Sequence, residues 1–221
     1  MTVGRGTVVR AILVTAACVA GGTAPAFALQ TVRLWGGGSV AVVGAVSESS
    51  GEITDLSGTL LGVAGRAAVG PLALHVRYAE GDLDPANDDG VGQRHIEGVA
   101  LLGVTPLAGL EVGGGPRVRS IVRDERTQRW VVWQVGGRYE SPALAPWVRG
   151  VVQGWIAVGG DVSNGGEFTS GRGGAAGILV RPGDGPLEIR VDYTIDELRL
   201  GEDAGRETME GFTLTVGWGR Q

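Results

Sequence analysis

Apolar and polar residues alternate along this chain with a period of two, in runs of strand length. In Leu72 to Ala79, one face carries Leu72, Leu74, Val76 and Tyr78, and the other carries Ala73, His75, Arg77 and Ala79. Successive side chains of a strand point to opposite sides, so such a run has one apolar and one polar face. Leu187 to Asp196 repeats the pattern, with Leu187, Ile189, Val191, Tyr193 and Ile195 opposite Glu188, Arg190, Asp192, Thr194 and Asp196. Gly211 to Gly219 sets Phe212, Leu214, Val216 and Trp218 against small and hydroxyl residues. Softer runs are Gly38 to Ser47, Ser57 to Val69, His95 to Thr105, Gln128 to Glu140, Trp147 to Val158 and Gly174 to Arg181. Leu110 to Arg123 also alternates, but Pro116 interrupts it, and a proline inside a paired strand predicts a bulge or a later start.

The breaks between runs alternate as well. Short turns fall at Gly70-Pro71, Pro106 to Gly109, Ser141 to Pro146 and Pro182 to Pro186. Longer polar loops are predicted at Glu48 to Leu56, Glu80 to Arg94, Asp124 to Thr127, Gly159 to Gly173 and Glu197 to Arg206. About ten strands with tight turns at one end and longer loops at the other predict an all-β fold. The fold is a single antiparallel up-and-down transmembrane β-barrel.

The first 28 residues stand apart. Arg5 and Arg10 precede an apolar stretch from Ala11 to Ala20, and Ala26-Phe27-Ala28 is a small-x-small cleavage site. This predicts a cleaved export signal over 1–28 and a barrel over 29–221. The apolar stretch is shorter than the roughly 20 residues a spanning helix needs. Cys18 is the only cysteine and lies in that segment, so the exported chain would hold no disulfide and no Cys-based metal site. The net charge of −5 argues against a nucleic-acid partner.

Alternation does not say which face points inward. A soluble, lipocalin-like barrel binding a small apolar ligand would bury the apolar side. The uneven connections favour lipid outside instead. So do aromatics near strand ends, with Tyr78, Tyr139, Trp147, Tyr193 and Trp218 as a membrane-interface girdle. Trp130 and Trp155 fall near the loop end but point inward by parity. The final run, with Phe212, Leu214, Val216 and Trp218, resembles the terminal strand of bacterial outer-membrane proteins, although Gly219-Arg220-Gln221 follows the aromatic. The wider pattern resembles small outer-membrane β-barrels of eight to ten strands. The resemblance implies a location in the bacterial outer membrane, with membrane lipid and the barrel-assembly machinery as partners and no cofactor.

On that orientation the polar face lines the lumen. It gathers Arg66, His75, Arg77, Glu97, Glu111, Arg117, Arg119, Arg138, Arg149, Glu188, Arg190, Asp192 and Asp196. Charges of both signs in a narrow barrel are expected to pair in layers and to fill it. The reading is therefore a plugged lumen, with a narrow pore as the alternative. Catalytic chemistry finds little support. His75 and His95 have no metal-ligand spacing. Asp82-Leu83-Asp84 resembles half of the omptin protease site, but no Asp-x-His completes it, and neither histidine has the neighbouring serine of a lipid A deacylase. The acidic loop with Asp82, Asp84, Asp88 and Asp89 is a weak calcium candidate, because it lacks EF-hand spacing. The chain thus reads as a structural or interaction barrel presenting loops, with Glu80 to Arg94 and Gly159 to Gly173 carrying any binding specificity.

Overall fold

A computed structural model describes residues 32–49, 52–86, 91–123, 126–163, 167–201 and 205–219. They form β1 (Arg33–Ser49), β2 (Glu52–Val69), β3 (Leu72–Pro85), β4 (Gln93–Leu107), β5 (Leu110–Arg123), β6 (Arg126–Glu140), β7 (Val148–Val162), β8 (Phe168–Val180), β9 (Leu187–Leu200) and β10 (Arg206–Gly219). Each strand pairs with its chain neighbours, and β1 closes on β10, giving a ten-stranded up-and-down barrel. Closure leaves no unpaired sheet edge among these strands. The segment 1–28, Cys18, Asp88 and Asp89 lie outside the described residues.

At the end where β2 meets β3 and β4 meets β5, the reversals are tight. Gly70 and Gly109 adopt positive φ (56° and 79°) there, a conformation that a side chain would strain. We call this the turn end; β1 begins and β10 finishes at it.

At the opposite, loop end, the strands run well past the expected boundaries. β3 continues to Pro85, β7 to Val162 and β9 to Leu200, while β1 and β2 stay paired to Ser49↔Glu52. Most of Glu48 to Leu56, Glu80 to Arg94 and Gly159 to Gly173, and half of Glu197 to Arg206, is therefore strand rather than loop. The alternation that marks a strand in sequence depends on lipid at one face. Above the lipid level the outward face is polar and the inward face is mixed, and the period-two signal fades while the hydrogen-bonded ladder continues.

Pro116 also differs from expectation. β5 keeps continuous register with β6 through Gly115↔Gln134 and Pro116↔Trp133. On its other side the ladder to β4 skips Pro116, passing from Val99↔Arg117 to Leu102↔Gly114. β5 itself runs unbroken from Leu110 to Arg123.

The outer wall is apolar. Val191, Phe212 and Trp218 are 40%, 64% and 65% exposed, and Leu72, Leu74, Val76, Val152, Ile156, Ile178, Leu214 and Val216 share this outward face. An apolar face turned outward is the reverse of a lipocalin's, so the soluble-barrel alternative does not describe this wall. The five proposed girdle aromatics all point outward: Tyr139, Trp147 and Trp218 near the turn end, Tyr78 and Tyr193 further up. Above them the outward positions become charged: Glu80 on β3, Arg94 on β4, Arg129 on β6, Arg172 on β8, Glu197 on β9 and Glu210 on β10. The hydroxyls of Tyr78 and Tyr193 donate to Glu80 and Glu210, tying the aromatic rim to the polar zone. About eight residues of each strand lie in the apolar zone. At ~3.4 Å per residue and a tilt of about 40°, that is a band ~20 Å high, close to what a thin bilayer requires.

Candidate functional site in the barrel interior

Strand parity carries the polar side chains inward, and closure brings residues distant in sequence together. In the loop half of the lumen they form one dry network. Arg117 donates to Glu97 at 2.6 and 2.9 Å and also to Asp196. Arg119 reaches Glu97 at 2.9 Å, Glu207 at 2.7 Å and Asp196 at 3.4 Å. Arg77 adds a third guanidinium on Glu97. The indole of Trp155 donates to Asp196 at 2.8 Å, and the Arg117 guanidinium lies 4.8 Å from its ring centroid. Such buried charges are tolerable because every carboxylate is paired, Glu97 and Asp196 with several arginines and Glu207 with Arg119; a single unpaired one would cost several kcal/mol, on the order of 3–5.

Two apolar clusters flank this network inside the barrel. Val43, Ala45, Leu56, Leu60, Leu83 and Met209 pack on one side. Trp130, Val132, Val162 and Leu198 pack on the other, with Phe168 edge-on to Trp130 at 6.5 Å. Leu83 and Leu198 are fully buried and Arg119 is 1% exposed. The loop half of the interior is therefore solid.

The turn half is hollow. A cavity of about 630 Å³ runs from Gly109 and Glu140 beside the turns up to the Glu97–Arg117–Asp196 layer. Its walls carry Arg66, His75, Glu111, Arg138, Arg149, Glu188, Arg190 and Asp192. Its charges are paired as well. Glu111 accepts from Arg66 at 3.2 Å and pairs with His75. Glu140 gathers Arg181 at 2.7 Å, Arg149 at 3.3 Å and Arg138 at 3.6 Å. Arg190 pairs with Asp192 at 2.6 Å and donates to Gln153 at 3.2 Å. The Nε atoms of Arg66 and Arg138 are buried without a hydrogen-bond acceptor.

All thirteen residues placed on the polar face thus lie inside the barrel, divided between two environments. Arg77, Glu97, Arg117, Arg119 and Asp196 build the solid layer; the other eight line the hollow part. The charged members missed include Glu207 in the network, and Arg33, Glu140 and Arg181 in the cavity. Glu140 and Arg181 end the runs from which their strands were read, and Arg33 and Glu207 precede theirs. The two apolar plugs were missed as well, because apolar residues were assigned to the lipid face. Of the calcium candidates, Asp82 and Asp84 sit on β3, and no cluster of three metal-binding side chains occurs among the described residues. His95 is buried at the top of the network level, with no acceptor for its Nε2.

The sequence matches no family model and no curated protein. Among solved structures, the translocator domain of the autotransporter NalP from Neisseria meningitidis aligns over 84% of this chain and 88% of its own, at 15% identity and a TM-score of 0.49. An outer membrane channel of Pseudomonas putida F1 aligns over 91% of this chain and 100% of its own, at 10% identity and a TM-score of 0.43. Neisserial surface protein A aligns over 85% and 99%, at 8% identity and a TM-score of 0.42. At these identities and scores the likeness says nothing of activity.

Proposed function

We propose that this chain is an exported bacterial outer-membrane barrel that works as a closed scaffold, with a structural or interaction role rather than transport. The turn end and its blind cavity face the periplasm. The paired strand extensions at the loop end form the rigid outer surface on which a partner would dock. The observation that carries this reading is the solid loop half of the lumen, where the Glu97–Arg117–Arg119–Asp196–Glu207 network lies between two apolar plugs. A path for ions or solutes would have to break buried ion pairs that the low dielectric strengthens.

The outward row Phe212, Leu214, Val216 and Trp218 supports recognition of the last strand by the barrel-assembly machinery. The two arginines, apolar stretch and Ala-Phe-Ala of the first 28 residues support export by a cleaved signal. The test is electrical. The folded barrel, checked by its shifted migration on detergent gels without boiling, should give no resolved single-channel steps in planar bilayers. Large, long-lived steps would show an open lumen and reject the closed-scaffold reading.

A further inference from the structure

The lipid-facing wall is not uniformly covered. Three outward glycines stand side by side across β6, β7 and β8: Gly137 pairs with Gly154, and Gly154 with Gly174. The row is closed by Val112 on β5 and Ile195 on β9. Where neighbouring strands present valine, leucine or tyrosine to lipid, this row presents bare backbone. Glycine inside a strand weakens it and often marks a place where another group approaches closely. Around the middle glycine, Gly154, lies a groove of about 800 Å³, lined also by Val112, Val135, Ile156 and Ile195, within the roughly 300–1,000 Å³ range of small-molecule sites. A Cβ on Gly154 would meet nothing nearer than the Gly173 carbonyl oxygen at 3.8 Å, so the site is open rather than closed by packing.

The next outward row, toward the loop end, is Val135, Ile156, Arg172 and Glu197, each paired to the next. Arg172 thus stands directly above the glycine groove, and it and Glu197 line the groove's upper end. Glu197 is shared by Arg172 at 3.1 Å, by Arg199 and by Arg206 at 3.4 Å. Among the described residues these three arginines share one carboxylate, which leaves positive charge over. Their side chains are 49–69% exposed, so the guanidinium groups are available to a ligand. The cluster sits just beyond the apolar band, at the level a lipid headgroup occupies.

We propose that this wall holds one anionic lipid. An acyl chain lies against Gly154 between Val112, Val135, Ile156 and Ile195, and the phosphate is gripped by Arg172, Arg199 and Arg206. Guanidinium groups suit phosphate because their planar N–H forks bond two oxygens at once. An acyl chain suits the groove because it lies within the apolar band and opens toward the bilayer. The inference needs only the apolar-outward wall and is independent of whether the lumen conducts.

The experiment is native mass spectrometry of the folded barrel in a non-ionic detergent, titrated with dioleoyl-phosphatidylglycerol or dioleoyl-phosphatidylcholine. One phosphatidylglycerol should be retained at about tenfold lower concentration than phosphatidylcholine, a difference of ~1.4 kcal/mol. The triple change Arg172→Gln, Arg199→Gln, Arg206→Gln should abolish the preference and leave phosphatidylcholine binding unchanged. Gly154→Leu, which fills the groove, should weaken both lipids; Gly154→Ala serves in its place if the leucine variant does not fold. Soluble glycerol 3-phosphate should not displace the lipid. Equal retention of the two lipids, groove variants that bind as the parent does, or displacement by glycerol 3-phosphate would each overturn the assignment. Channel steps in bilayers would reject the closed scaffold and leave this result standing.

Discussion

The two halves of the lumen carry the same kinds of shared charge and differ in whether apolar side chains pack around them. In the loop half, Glu97 takes hydrogen bonds from three arginines and Asp196 from two, and apolar side chains exclude water around them. In the turn half, arginines surround a cavity, and two of them hold a donor that no protein group accepts. Shared carboxylates therefore close a barrel interior only where apolar packing also removes water. Without that packing, the same residues line a chamber.

Substitutions that separate the halves should sharpen this contrast. The largest effect is expected from Arg117→Gln. It leaves Glu97 and Asp196 short of a buried partner, and should lower unfolding stability by about 3–5 kcal/mol in a urea titration of the folded barrel. Next is Leu198→Ala in the second plug, which opens a cavity beside Trp130 and should cost about 3 kcal/mol in the same assay. The smallest is Arg149→Gln in the chamber wall. Its guanidinium is 43% exposed and pairs with Glu140 at 3.3 Å, so the loss should stay under about 1 kcal/mol. If Arg149→Gln cost as much as Arg117→Gln, the halves would be energetically alike and the distinction would fail.

How much of this was legible in the sequence follows from what lipid does to a strand. Within the apolar band, Leu187 to Asp196 and Leu72 to Ala79 show their faces in every second residue, and both strands, their parity and the outward aromatics were readable. Beyond the band, β3 runs through Glu80, Gly81, Asp82 and Asp84, where the outward face is charged and the single inward Leu83 sets no period. The same loss hid Glu207, which reaches Arg119 from the stretch of β10 preceding the readable run. The plugs were hidden for another reason. Leu83, Val132 and Leu198 are apolar and inward, and periodicity cannot separate them from lipid-facing residues without knowing where the band stops. The pairing of Arg117 with Asp196 joins residues 79 apart, and only the closure of the barrel places them together.

The central claim is a lumen hollow from the turn end and sealed toward the loops. Thr213 points into the hollow half from β10, and Cys18 is the only native cysteine. A Thr213→Cys barrel inserted in one orientation in vesicles can be challenged with a membrane-impermeant maleimide from either side. The account predicts labelling from the turn side and none from the loop side. Labelling from both sides at similar rates would contradict it.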